Sequence, residues 1–282
     1  MKPATKAKEA EIVKPSRQAA LATTAPQYLD TYATERPEGF EEVGAGDVKV
    51  PRLAVAQALT PQLDESNANN IPLLKKGDFF NTVTGDYFGP SVKIIPLLKF
   101  GNRIRFGDMD KGGGILCRSD DMIHGVGDNP VDGNCAKCPY AQFGSARGGE
   151  GKGTACSEFM NFPALIVREG KVDVENTVIW SAKSSHIDAA KQLVGLAMRR
   201  RLANGSRAPM WSGVYTLSSK IKKFTEKLSA YVVAVDNAGW IPDAQSAMVK
   251  GAFDFMFELR KQRRLTADDQ TADQFPEPGT NG

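Results

Sequence analysis

The sequence of 282 residues contains only four cysteines and two histidines, and its apolar runs are short. A membrane-spanning helix needs about 20 consecutive apolar residues, so no such helix is expected. Two histidines leave little capacity for general acid–base catalysis near neutral pH. The first 20 residues lack the apolar core and small-residue cleavage site of a secretory signal. We therefore expect a cytoplasmic protein.

Sequence motifs of common enzymes are also missing. The chain has no Gly-x-Ser-x-Gly and no His-Glu-x-x-His. A glycine-rich run from Gly148 to Thr154 departs from a phosphate-binding loop, because Gly153 follows Lys152 and Ala146 occupies the first glycine position. The sequence therefore predicts a protein that is not an enzyme. A metal-dependent nuclease built from scattered carboxylates is the remaining catalytic alternative.

The four cysteines fall in one short window with symmetrical spacing, Cys117-x17-Cys135-x2-Cys138-x17-Cys156. The central pair places two thiolates on one turn, and the outer pair can complete a tetrahedral site. This pattern predicts a structural zinc ion bound by all four cysteines. Because no open coordination position remains, a catalytic metal is not expected.

Other interpretations of the cysteines are less favoured. Two disulfides would need an oxidising compartment, and nothing in the sequence selects an iron–sulfur cluster over zinc. A redox Cys-x-x-Cys opens a helix, whereas Pro139 and the nearby Gly, Asn and Asp favour a loop. His124 is an alternative ligand in place of Cys117. The His-x-Glu and Pro-Cys-x-x-Cys motifs of a zinc deaminase are absent.

Charge is distributed unevenly along the chain. Residues 183–227 carry ten Lys or Arg and two acidic residues, a net charge of +8 against −5 for the rest. This asymmetry indicates a surface that binds a polyanion.

Composition divides the chain into three parts. Residues 1–46 predict a flexible N-terminal tail, and residues 265–282, which contain Asp268, Asp269, Asp273 and Glu277 but no basic residue, predict an acidic flexible tail. Residues 47–264 form the expected folded domain, with a zinc insertion at about 110–157.

The folded part predicts mainly β structure with flanking helices, an α+β class. Residues 50–57 predict a strand or a covering segment, and a strand is expected in 77–86. A hairpin turning at Gly101-Asn102 and another around Glu169-Gly170-Lys171 follow. A helix capped by Ser184 or Ser185 follows, with Asn204-Gly205 as its stop.

Two further strands come next, at 212–219 and 228–235, and a last helix spans about 244–264. Its Phe253, Met256 and Phe257 form an apolar stripe that predicts contact with the core. This order of elements favours a five-stranded Greek-key barrel of the oligonucleotide/oligosaccharide-binding (OB) type, in which the last two strands are joined by a binding loop.

Cations and an aromatic residue fall where such a barrel binds its ligand. The segment Lys220-Ile221-Lys222-Lys223-Phe224 occupies the expected last loop, and Arg103 and Arg105 share one face of a strand. Cations follow phosphates, and an aromatic face stacks on any base. The predicted nucleic-acid contacts are therefore Arg103, Arg105, Lys220, Lys222, Lys223 and Phe224.

The chain resembles phage and prophage single-stranded DNA-binding proteins that carry a zinc loop inside an OB-type barrel. The resemblance covers roughly residues 50–235. The segments that carry it are Pro51–Gln57, Lys76–Gly85, Cys135–Pro139 and Gly151–Cys156.

This resemblance implies sequence-independent coating of single-stranded DNA in replication or recombination, in a bacterium or an infected host cell. It also implies that the acidic C-terminal tail contacts replication or recombination proteins. A zinc-stabilised structural or adaptor protein of a phage is the alternative.

Overall fold

In a computed structural model of the chain, residues 51–108, 113–146, 153–226 and 229–261 are described. All of them belong to one compact unit. The tails predicted for residues 1–46 and 265–282 lie outside the described residues. The described part of the chain is mainly β with two α-helices, the α+β class that the sequence predicts.

Strand pairing within the described residues is antiparallel in both sheets. The strands are β1 (Leu53–Val55), β2 (Phe79–Asn81), β3 (Tyr87–Gly89), β4 (Ser91–Pro96), β5 (Phe100–Phe106), β6 (Ile115–Ser119), β7 (Val126–Gly127), β8 (Cys156–Arg168), β9 (Lys171–Lys183), β10 (Gly213–Lys223) and β11 (Ser229–Trp240). The helices are α1 (Ile187–Arg199) and α2 (Ser246–Lys261).

Strand β8 is the centre of the larger sheet. One edge of β8 pairs first with β5 and then with β4, and its other edge pairs with β9. The sheet continues from β4 to β10 and β11, and from β5 to β6 and β7. Apart from Asn161, the residues of β8 from Phe159 to Ile166 are apolar, and all of them are buried, on both faces of the sheet, as is typical of a central strand.

The hairpin predicted at Gly101-Asn102 is wrong. These two residues lie inside β5, where Gly101 pairs with Met160 and Asn102 with Phe159. Strands β4 and β5 follow each other along the same edge of β8 and do not pair together. Inside the sheet, Asn161 Nδ2 donates to Asn102 Oδ1 over 2.7 Å. The side-chain oxygen of Asn102 therefore has a hydrogen-bond donor 59 residues away in the sequence, which a local turn signal cannot reveal.

The hairpin predicted around Glu169-Gly170-Lys171 is confirmed, except that Lys171 is already a strand residue, paired with Arg168. Glu169 and Gly170 have φ angles of 51° and 79°, which match the twist that a two-residue turn needs between antiparallel strands. Strand β9 returns along β8 from Lys171, opposite Arg168, to Lys183, opposite Phe159.

The predicted closed barrel is not formed. Among the described strands, β9 and β11 do not pair with each other. The segment that contains β1 connects their free edges: Ile179 N–H donates to Pro51 O over 2.8 Å. Gln57 Nε2 donates to Tyr231 O over 2.9 Å, and Gln57 Oε1 accepts from Tyr231 N–H over 3.0 Å. A side-chain amide thus takes the place of a neighbouring backbone at this gap.

Helix α1 covers the same gap and buries its small apolar face. Ala189, Ala190, Leu193 and Ala197 are buried in the core cluster that also holds Trp180 and Tyr215. Gln192 Nε2 donates to Val235 O over 2.7 Å and so joins the helix to β11. The predicted serine cap is wrong, because a 3-10 turn at Ser184–His186 precedes the helix and no side chain caps it.

Helix α2 packs on the opposite face of the sheet. Val249 is fully buried against Ile95, Leu97, Leu165 and Val214, with Phe253 and Met256 beside it. The predicted apolar stripe is therefore right for Phe253 and Met256. Phe257 is exposed and stacks on Phe253 at 5.7 Å between ring centroids. Residues 262–264 of the predicted helix lie outside the described residues.

Candidate nucleic-acid interface and cysteine cluster

The β10–β11 hairpin extends beyond the sheet that supports it. Strand β4 pairs with β10 only from Tyr215 to Ser218, whereas β10 and β11 stay paired as far as Lys223 and Ser229. The last residues of β10 therefore form a two-stranded ribbon with one neighbour, β11. All residues from Lys220 to Glu226 are exposed.

The tip of this ribbon concentrates cations and apolar surface. Lys220, Lys222 and Lys223 lie on it, with Ile221 between them. Lys222 Nζ lies 5.4 Å from the centre of the Phe224 ring, and 43% of Phe224 is exposed. The sequence-predicted cations and aromatic residue of this segment are thus together and accessible.

The prediction that Lys220–Phe224 is wholly a loop is wrong. Lys220, Ile221, Lys222 and Lys223 are strand residues opposite Val232, Tyr231, Ala230 and Ser229. A lysine-rich run is typical of a loop, but here the β-branched and apolar residues of β11 continue the ladder. Lys220 and Lys222 consequently lie on one face of a regular strand, and Lys223 lies on the other.

Arg103 and Arg105, the other predicted contacts, lie at the far end of β5 and have acidic partners. Arg103 Nη2 is 3.5 Å from Glu158 Oε2. The buried Arg105 bonds to Asp128, and its guanidinium lies 4.1 Å from the centre of the Tyr140 ring. The structure does not bring these arginines together with the hairpin lysines, and DNA contact by either group remains a prediction.

The cysteines are brought together by strand register and by one turn. Arg105 pairs with Cys117 on one side and with Cys156 on the other, so both thiols flank the same residue of β5. Cys135 and Cys138 lie on a turn in which Cys138 N–H donates to Cys135 O over 3.3 Å. All four thiols are free and buried.

Polar groups of the insertion surround the thiols. The four cysteines line one small pocket, together with Arg105, Asp128, Asn129, Tyr140 and Ala141. Asn129 Nδ2 is 3.8 Å from Cys117 Sγ and is placed to donate to it. Sequence reasoning missed Asp128, Asn129 and Tyr140, because their only signal is proximity in the fold.

Small residues and electrostatics also define the cluster. A Cβ on Gly125 would lie 3.1 Å from Cys117 Sγ and 3.5 Å from Cys135 Sγ, so glycine makes room for the sulfurs. Burial raises the pKa of Cys156 to about 11, while Arg103 acts to lower it and the other three cysteines raise it further. Burial likewise raises the pKa of Cys117.

His124 does not join the thiols. Its side chain is 77% exposed, and its Nδ1 lies 2.7 Å from Asp121 Oδ2. Cys117, which His124 would have replaced as a ligand, lines the pocket.

The donor set suits zinc in chemistry, since thiolates are its preferred structural ligands. Within the part of the chain that the structure describes, however, no three His, Cys, Asp or Glu side chains are assembled as a finished metal site. The four thiols share a pocket, and the binding of a metal ion by them is a proposal.

A family model for Pam3 phage gp34-like protein matches residues 16–264. The chain belongs to this family. The match includes every described strand and helix, from β1 to α2, and the description of the family names a phage protein. No curated protein and no solved structure matches the chain. In the described ranges, none of the helices has the length and apolar character needed to cross a membrane.

Proposed function

We propose that the protein binds single-stranded DNA without sequence preference and coats it during replication or recombination in the bacterial cytoplasm. The projecting β10–β11 ribbon carries this proposal, because three lysines and an aromatic ring are exposed together at its tip. Each base that stacks on an aromatic side chain contributes roughly 1–3 kcal/mol, and this contribution tolerates any base.

The order of the strands supports the proposal. Strands β4 and β5, which follow each other along one edge of β8, take the place of the first strand of a five-stranded OB barrel. Strands β8 and β9, helix α1, and strands β10 and β11 then follow in the chain order of that fold, with its helix before the last two strands. Four of the expected neighbours are paired: β4 with β8, β8 with β9, β4 with β10, and β10 with β11. In that scheme the ribbon tip takes the position of the loop between the last two strands, which OB proteins use for binding.

We propose structural zinc for the insertion. Cys117, Cys135, Cys138 and Cys156 would hold the ion and cross-link β6, β8 and the Cys135–Cys138 turn. Arg105 would offset part of the charge of four thiolates, since it lies between Cys117 and Cys156 in the ladder. A closed four-thiolate site supplies folding free energy and offers no position for a substrate.

Membership of a phage family fits this function, because phage replication and recombination expose single strands. The acidic sequence at 265–282, outside the described residues, is the proposed contact for replication or recombination proteins. No membrane is needed for this role.

A titration of labelled oligo(dT) tests the function. We expect tight binding, and the logarithm of the association constant should fall linearly with the logarithm of the salt concentration. In the triple variant Lys220→Gln/Lys222→Gln/Lys223→Gln the slope should become shallower by ~2, at ~0.7 for each lost phosphate contact on a single strand.

The double variant Lys99→Gln/Lys171→Gln, at exposed positions on other elements, is the charge control and should keep the wild-type slope. An absence of binding at low salt refutes the function. Cleavage of the oligonucleotide when magnesium or manganese is added favours the nuclease alternative.

A further inference from the structure

The base of the β10–β11 hairpin carries a second concentration of positive charge. No Asp or Glu occurs from residue 189 to residue 225. Within this stretch Arg201 and Arg207 are both exposed, and their backbones pair in an antiparallel bridge. Arg201 Nη1 donates to Met198 O over 2.8 Å and to Arg200 O over 3.1 Å, at the end of helix α1. Like charges directly opposite each other in a ladder destabilise it. An anion bound at this bridge would remove that repulsion.

An exposed indole lies against Arg200, the residue that precedes the arginine bridge in the chain. The guanidinium of Arg200 lies 4.4 Å from the centre of the Trp240 ring and 5.0 Å from that of Tyr215. Arg200 bonds to Asn237 Oδ1 and Gly239 O, which fix it under the ring. Gly213 leaves the space for this packing, because a Cβ there would lie 2.8 Å from Arg200 Cζ.

Trp240 differs from the other two tryptophans in its accessibility. Trp180 is 1% exposed inside the core, whereas Trp240 is 51% exposed. Trp211 is partly buried and contacts Phe253 at 6.3 Å between ring centroids. A large ring that is held in place on a cation and is half open to solvent has the properties of a base-stacking platform.

We infer that Trp240, Arg201 and Arg207 form a second contact site for single-stranded nucleic acid, an inference that rests on the proposed function. Trp240 stacks on a base, and the two arginines contact phosphates. Trp240 pairs with Gly213 at one end of the hairpin, and Lys223 pairs with Ser229 at the other. Ten residues of strand separate the two sites, about 33 Å along β10.

Tryptophan fluorescence during an oligo(dT) titration tests this site. We expect quenching at saturation in the wild type and in Trp211→Phe, and loss of the quenching in Trp240→Phe. Trp240→Ala should bind roughly 5- to 140-fold more weakly, the equivalent of losing a stack worth ~1–3 kcal/mol. The result does not depend on this last variant folding, because Trp240→Phe retains a ring in the same packing.

The arginines are tested by the salt dependence of binding. Arg201→Gln/Arg207→Gln should make the slope shallower by ~1.4, at ~0.7 for each phosphate contact on a single strand. The charge control Lys99→Gln/Lys171→Gln should leave it unchanged. Oligonucleotides of about 4 and about 16 nucleotides, the limits of typical OB site sizes, should differ in their sensitivity to these substitutions, since only the longer one reaches both sites.

The outcomes separate this site from the function as a whole. A wild type that does not bind overturns both proposals. Binding that depends on the hairpin lysines, but with quenching that persists in Trp240→Phe and a salt slope unchanged in the arginine variant, overturns the second site alone.

Discussion

Replacing Gln57 tests how the gap between β9 and β11 is held together. The Gln57 amide exchanges two hydrogen bonds with the backbone of Tyr231 on β11. Gln57→Ala removes both bonds and leaves the Tyr231 N–H without its partner, whereas Tyr231 O keeps a contact with His186 Nε2 at 3.1 Å. Because both groups are partly buried, we expect a loss of about 2 kcal/mol in the free energy of unfolding.

Urea unfolding followed by circular dichroism measures this loss, and thermal unfolding should show a melting temperature about 4–8 °C lower for a domain of this size. Gln57→Glu keeps the shape and the acceptor but loses the donor to Tyr231 O, so it should be destabilised as well at pH 8. Gln142→Ala, which removes one exposed bond to Ala136 O, is the control and should stay within about 0.5 kcal/mol of the wild type. If Gln57→Ala is equally close to the wild type, the gap is held by other contacts and the reasoning fails.

Two further predictions concern metal and pH. One zinc ion per chain should be found by elemental analysis, and its chelation should increase amide hydrogen exchange in the insertion around 117–156; a metal-free protein with unchanged protection there contradicts the site. Burial lowers the pKa of His186, with Lys183 lowering it further and the bond to Tyr231 O opposing them. The unfolded chain therefore takes up a proton below pH about 6.5 that the folded protein resists, so stability should fall as the pH drops from 7 to 5. His186→Gln should reduce this fall when unfolding is measured across that range, and an identical pH profile in the variant excludes His186 as the cause.

Local patterns in the sequence predict the elements that are formed by interactions between residues close in the sequence. The Glu169-Gly170 turn adopts the positive φ angles that a tight hairpin needs, and the apolar spacing of Ala190, Leu193 and Ala197 gives helix α1 its buried face. These features depend on residues within one or two turns of each other, and a single sequence contains them.

Features set by distant pairing could not be predicted in the same way. Gly101-Asn102 has the composition of a turn, yet β5 gains more from pairing along β8. At the gap between β9 and β11, which the predicted closed barrel lacks, a side chain from residue 57 bonds to β11 at residue 231. Neither competing partner is visible from the local sequence.

The candidate site shows the same division. Spacing alone indicates that four cysteines act together, and the structure places them in one pocket. Register then determines that Arg105 lies between Cys117 and Cys156, which changes its expected surroundings from an open face to a buried one. Exposure of Trp240 depends on where β11 ends relative to the core, so composition gives no signal for it.

The two ends of the cysteine-bearing insertion are neighbours in the sheet. The chain leaves β5 after Phe106 and returns at Cys156, which pairs directly with Arg105, so the connection begins and ends about 5 Å apart. A loop with adjacent ends can change length cheaply, at about 0.6 kcal/mol for each doubling. The insertion is therefore an exchangeable module: a short turn or a foreign domain grafted between these two residues would leave the pairing of β4, β8 and β9 in place.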